Sequence, residues 1–91
     1  MKRSIMEMVA AARSVVPAIS PEEAKALLGR EDVVFVDVRD TDEVEKSGKV
    51  AGAVNISRGM LEFRADPDTP YHDKGFARDR TIILYCASGG R

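Results

Sequence analysis

Thr81-Ile82-Ile83-Leu84-Tyr85-Cys86-Ala87-Ser88-Gly89-Gly90-Arg91 closes the sequence, and its reading decides the fold. Residues 81–85 are apolar or β-branched, short, and without helical period, which marks a buried strand. The only cysteine of the chain therefore stands where a core strand ends. Small residues follow it, then an arginine. Gly89 and Gly90 can take positive φ without a Cβ penalty. A loop of this composition can fold back and turn successive backbone N–H groups toward one point, an anion nest. A cysteine at the floor of such a nest favours its thiolate, which is the nucleophile. Arg91 adds a fixed cation that binds an anion in a bidentate fork.

Working upstream, residues 65–80 are polar and turn-rich, with Asp66-Pro67-Asp68-Thr69-Pro70 and Asp73-Lys74-Gly75, and form the longest loop. A short helix is expected over residues 59–64, where Met60, Leu61 and Phe63 are apolar. Ala53-Val54-Asn55-Ile56 reads as a short strand. Val33-Val34-Phe35-Val36 is apolar without alternation, as in a parallel strand covered on both faces. Asp37-Val38-Arg39 follows at its C-terminal end, the edge where open α/β sheets place their sites. Between these strands, Asp40-Thr41-Asp42-Glu43 opens a helix, with Asp40 expected to cap and Glu43 at N3; it ends near Ser47-Gly48. Strands alternating with helices in this way specify βαβ units and a mainly parallel sheet.

Ser20-Pro21-Glu22-Glu23 is a helix start with a capping box, and Gly29 closes that helix. Ala18-Ile19 has the character of a very short edge strand. Residues 2–16 place Ile5, Met8, Val9, Ala12 and Val16 at helical spacing, an amphipathic helix lying on the domain surface and ended by Pro17. The expected organisation is an N-terminal helix over 1–17 and one α/β domain over 18–91.

Composition narrows the function. The chain has 91 residues, enough for one domain. It is 44% hydrophobic and 32% charged, as in ordinary globular proteins. Fourteen basic and 15 acidic residues leave a net charge of −1, so no basic field points to nucleic acid or a membrane surface. No apolar run approaches the ~20 residues of a membrane span. Glu7 and Arg13 interrupt the N-terminal apolar region, against a cleaved signal peptide. One cysteine and one histidine supply neither a disulfide nor a structural zinc site, so no metal is expected, and a lone thiol suits a reducing, cytoplasmic setting.

Three segments in register resemble the rhodanese (sulfurtransferase) family. They are Val36-Asp37-Val38-Arg39 with Glu43 four residues on; Gly48-Lys49-Val50-Ala51-Gly52-Ala53-Val54-Asn55-Ile56, similar to the family's Gly-His-Ile-Pro-Gly-Ala-Ile-Asn; and Ile83 to Arg91. Lys49 and Ala51 depart from the usual His and Pro, both in a structural turn. The Cys86-to-Arg91 span of six residues matches the family's active loop. The related dual-specificity phosphatases of the cell-cycle type use a loop one residue longer. The resemblance implies a mainly parallel sheet with helices on both faces, and a domain that continues past Arg91. Its remaining C-terminal part is expected as a separate or missing segment.

It also implies a sulfurtransferase: Cys86 as nucleophile, Ala87, Ser88, Gly89, Gly90 and Arg91 as the substrate-binding loop, Asp37 and Arg39 in support. No cofactor is implied. A small anionic sulfur donor and a thiol or protein acceptor are the implied partners. A non-catalytic persulfide carrier or regulatory interaction module is the alternative, with a phosphatase or arsenate reductase of the same fold behind it. His72 is expected at the surface, and Arg58 and Arg64 on a solvated helix face.

Overall fold

A computed structural model describes residues 4–87. The order of elements is α1 (Ile5–Val15), α2 (Pro21–Ala26), β1 (Val33–Asp37), α3 (Thr41–Ser47), β2 (Val54–Asn55), a 3-10 turn (Arg58–Met60), α4 (Leu61–Ala65) and β3 (Thr81–Tyr85). The strands form one parallel sheet in the order β2-β1-β3. Val36 and Asp37 lie level with Val54 and Asn55 on one side and with Leu84 and Tyr85 on the other. Because all three strands run the same way, their C-terminal ends share one edge. This is the α/β architecture expected from the alternation of strands and helices.

The hydrogen-bond ladder outlasts the strands at that edge. Ile56 N–H donates to the Asp37 carbonyl at 2.9 Å, Arg58 N–H to the Val38 carbonyl at 3.0 Å, and Val38 N–H to the Tyr85 carbonyl at 3.0 Å. The chain of β1 is therefore held from both sides one residue beyond its end.

The core is small. Val36, Val38 and Ile56 are buried together, with Val34, Val54, Leu61, Phe76, Ile82 and Cys86 packed against them. Alternate side chains of a strand face opposite ways, so Val34, Val36 and Val38 supply this face. Asp37 points to the other face and is nevertheless fully buried. Leu84, level with Val36, remains 47% exposed. It belongs to β3, which pairs only with β1 among the described residues.

Local signals explain the helix boundaries. Ser20 Oγ accepts from Glu23 N–H at 3.1 Å while Glu23 Oε1 accepts from Ser20 N–H at 3.0 Å, the reciprocal capping box. The short strand expected at Ala18-Ile19 does not form; both residues are exposed and lie outside any strand. Pro17 and Pro21 lack N–H groups and the Ser20 N–H is spent on Glu23, so the positions flanking Ala18-Ile19 have no donor to extend a ladder. Asp40 is the N-cap of α3, but its side chain makes no capping bond; its carbonyl accepts from Glu43 and Val44 instead.

Helix α1 starts one residue after Ser4, whose Oγ accepts from Glu7 N–H at 3.1 Å. It ends where Pro17 forces Val16 into extended backbone (φ −111°, ψ 115°). The expected packing of its apolar stripe is not observed. Ile5, Met6, Met8, Val15 and Val16 are exposed, and only Val9 and Ala11 are half-buried.

Val36 lies at the centre of the core and of the central strand. Val36→Ala is expected to lower the unfolding free energy by roughly 2–3 kcal/mol, since the methyl groups removed leave a cavity that a packed sheet cannot close. The midpoint of urea denaturation checks this.

Candidate functional site

The C-terminal edge of the sheet carries two groups of side chains on opposite faces. On one face, Asp37 is completely buried and ionised against Arg39, with Asp37 Oδ2 2.7 Å from Arg39 Nη2 and Oδ1 2.9 Å from Nε. The Arg39 backbone N–H adds a third bond to Oδ1 at 3.0 Å. The guanidinium reaches further, donating to Ser47 Oγ and to the Gly48 carbonyl, both at 2.7 Å. It also lies 6.0 Å from the centre of the Tyr85 ring, a cation–π distance.

The Arg39 side-chain bonds hold the Asp37 carboxyl below its ordinary range, against the opposing effect of burial; the Arg39 backbone N–H and the Tyr85 hydroxyl act in the same direction as the side chain. Burial pushes the Tyr85 phenol up. Its bond to the Asp37 carboxylate and that negative charge push the same way, and the Val50 N–H donated to its oxygen at 3.1 Å opposes them.

Asn55 completes this face. Its Nδ2 donates to the carbonyls of Asp37 (3.0 Å) and Arg39 (2.9 Å), which pins the turn between β1 and α3. Sequence reasoning named Asn55 only as part of a motif and did not assign it this role. The available signal was its position in β2, at the level where Asp37 ends β1.

Preceding β2, the segment 48–53 is a tight turn. Ala53 N–H donates to the Val50 carbonyl at 3.0 Å and Gly52 takes φ 79°. A positive φ at the third position is what a type II turn requires, and Pro is favoured at the second, where Ala51 stands. Lys49, in place of the usual His, donates from Nζ to the Ala53 carbonyl at 2.6 Å and braces the turn.

On the other face, Cys86 follows β3 directly, half-buried against Val36, Val38 and Ile56. Next in register after the Asp37–Tyr85 pair, it falls level with Val38, on the core side of the sheet. Strand alternation thus separates Cys86 from the Asp37–Arg39 pair. The pair reaches the cysteine through the main chain of Tyr85. Ala87 is exposed. The other loop positions assigned to substrate, Ser88, Gly89, Gly90 and Arg91, lie outside the described residues.

Other residues considered from sequence are found as follows. Arg58 is ion-paired with Glu62 at 2.6 Å on an exposed helix face. His72 is half-buried rather than at the surface. Its Nδ1 lies 3.1 Å from the Arg64 carbonyl, which can only accept, so Nδ1 carries the proton.

The family model of the rhodanese-like domain matches residues 20–91. This chain belongs to the rhodanese-like domain family. The thiosulfate sulfurtransferase/rhodanese-like domain-containing protein 3 of Mus musculus is 35% identical to it over 54 residues, covering 59% of this chain and 34% of that protein. The matched stretch is thus about a third of that relative's length. A solved structure of a protein of unknown function from Rhodopseudomonas palustris CGA009, described as a possible tyrosine phosphatase, superposes with a TM-score of 0.88 at 40% identity. That likeness covers 96% of this chain and 67% of the other. No helix among the described residues is long and apolar enough to cross a membrane.

In this rhodanese-like domain the buried pair sets the acid stability. Asp37 has a lowered folded-state pKa, so its contribution is fully present above its unfolded value near 3.8 and is lost as pH falls through the lower folded value. Asp37→Asn is expected to be less stable at pH 7 and to lose less on acidification to pH 3 than the parent protein. Arg39→Ala leaves the buried carboxylate unpaired and is expected to cost about 3–5 kcal/mol. Urea unfolding at both pH values measures each effect.

Proposed function

We propose that the protein is a sulfurtransferase that carries sulfane sulfur on Cys86. The Cys86 thiolate attacks the outer sulfur of thiosulfate or a similar donor. The S–S bond to the sulfonate sulfur breaks and sulfite leaves with its electron pair, so Cys86 becomes a persulfide. A thiophile (cyanide in an assay, a thiol or a protein thiol otherwise) then attacks the terminal sulfur and the Cys86 thiolate is regenerated.

The observation that carries this reading is the seat of Cys86. It stands at the C-terminal end of a parallel strand, half-buried against the core, and its sequence continues with four small residues and an arginine. In this reading Ala87, Ser88, Gly89 and Gly90 offer backbone N–H groups to the sulfur and Arg91 holds the anionic donor. Asp37 and Arg39 are positioning residues that hold the base of the loop. Residues 18–91 do the chemistry, α1 is an appendage, and a lone thiol is suited to the reducing cytoplasm. Membership of the rhodanese-like family and the thiosulfate sulfurtransferase name of the mouse relative agree with this.

A phosphatase is the second reading, favoured by the description of the Rhodopseudomonas neighbour. The six-residue span from Cys86 to Arg91 argues against it, because a shorter loop suits a sulfur atom better than a tetrahedral phosphate.

Thiocyanate formation from thiosulfate and cyanide, run beside p-nitrophenyl phosphate hydrolysis, separates the readings. The parent protein is expected to form thiocyanate without releasing nitrophenol, and Cys86→Ser to lose the activity entirely. Hydrolysis without thiocyanate would favour the phosphatase. Neither product from folded protein would leave a persulfide carrier or interaction module.

A further inference from the structure

Beside β2, at the same C-terminal edge as Cys86, lies an open cleft of about 320 Å³ lined by Thr41, Asn55, Ser57, Met60, Arg64 and Tyr71, with Ile56 as a wall. Its chemistry is one-sided. Among the described residues Arg64 is the single charged one that lines it, and none of them is a carboxylate. Among the described residues the Arg64 guanidinium lies within ion-pair distance of no carboxylate, whereas Arg30, Arg39 and Arg58 are each paired.

The residue is nonetheless half-buried and well anchored. Its carbonyl accepts from Asp73 N–H at 2.8 Å and from His72 Nδ1 at 3.1 Å. Tyr71 is held edge-on to Phe63, ring centres 6.3 Å apart. The Ser57 and Tyr71 hydroxyls make no hydrogen bond within the described residues. Within the described residues, one cleft is thus lined by a guanidinium without a carboxylate partner and by two residues with unengaged hydroxyls, a donor set for an oxyanion. Ile56 links this cleft to the cysteine, since it also belongs to the buried trio against which Cys86 packs.

We propose that this cleft is an oxyanion subsite in which Arg64, with Ser57 and Tyr71, holds the anionic end of one of the two reactants while sulfur passes at Cys86. The proposal rests on the sulfurtransferase reading for which reactant is held, and on the cleft alone for the binding of an anion. The shared chemistry is a sulfonate or carboxylate, from the donor in one case and from an anionic thiol acceptor in the other.

The test compares the parent protein with Arg64→Gln and, as a control outside the cleft, Arg58→Gln. Thiosulfate is the donor; 3-mercaptopropionate and the neutral 2-mercaptoethanol are the acceptors. Arg64→Gln is expected to raise one KM roughly tenfold, the loss of one charge-assisted hydrogen bond, with kcat within about twofold. A rise for thiosulfate assigns the subsite to the donor, and a rise for 3-mercaptopropionate assigns it to the acceptor. In both cases the KM for 2-mercaptoethanol and all values for Arg58→Gln stay unchanged. Equal effects of the two substitutions, or a rise for the neutral thiol as well, would overturn the proposal.

A binding measurement keeps it separate from catalysis. In ¹H–¹⁵N spectra, titration with thiosulfate or 3-mercaptopropionate is expected to shift the Arg64 Nε–H and Ser57 N–H signals in the parent, and the Ser57 signal no longer in Arg64→Gln. Shifts in an inactive protein would uphold the subsite while removing the sulfurtransferase reading. No shift with either anion would remove the subsite whatever the activity.

Discussion

A carboxylate with no exposure at the end of the central strand has to be matched by a cation and by enough hydrogen bonds to replace water. Asp37 meets this demand through Arg39, two residues on, and most of the sheet edge follows from how Arg39 does so. The guanidinium that pairs with Asp37 also lies over the Tyr85 ring and donates to Ser47 and Gly48. One ion pair thereby fastens the end of β1, the end of α3 and the end of β3. Buried pairs of this kind add little net stability compared with a well-packed apolar core, yet losing one partner is costly. Their contribution is to specify one arrangement, and here it is that of the strand ends next to Cys86.

Strand alternation then divides the labour of that edge. The ion pair and Asn55 occupy the face that holds backbone in place. Cys86 occupies the apolar face with Val36, Val38 and Ile56. A negative carboxylate beside a thiol would disfavour the thiolate, and the two faces of the sheet keep them apart. Asp37 and Cys86 are joined through the main chain of Tyr85, which follows from the register of β1 and β3. The segment entering β2 shows the same economy. Gly52 supplies the positive φ and Lys49 braces the turn with a bond to Ala53, so Ala51 suffices where proline would have preset the backbone.

Much of the fold is legible in the sequence because the deciding interactions are local. The apolar runs at 33–36 and 81–85 name the strands, Ser20-Pro21-Glu22-Glu23 names a helix start, and Pro17 names a stop. Where a local signal misled, neighbouring groups account for it: Pro17, Pro21 and the Ser20–Glu23 box leave no donor beside Ala18-Ile19 to extend a strand, and Asp40 capped with its carbonyl rather than its carboxylate. The exposure of the α1 stripe was not legible. Helical periodicity reports which residues share a face and says nothing of what covers it.

The sequence by itself determined the strand that presents Cys86, the small residues and arginine that follow, and the α/β class, since each depends on residues within a few positions of one another. Tertiary structure alone decided the strand order β2-β1-β3, the burial of Asp37, the bond between Tyr85 and Val50 across 35 positions, and the clamp of Asn55 on the turn after β1. It alone brought Arg64, which has no carboxylate partner among the described residues, into one cleft with Ser57 and Tyr71. These depend on the register between strands and on which loops meet at one edge. Such contacts arise only when segments distant in sequence are brought together, so no window of neighbouring residues encodes them.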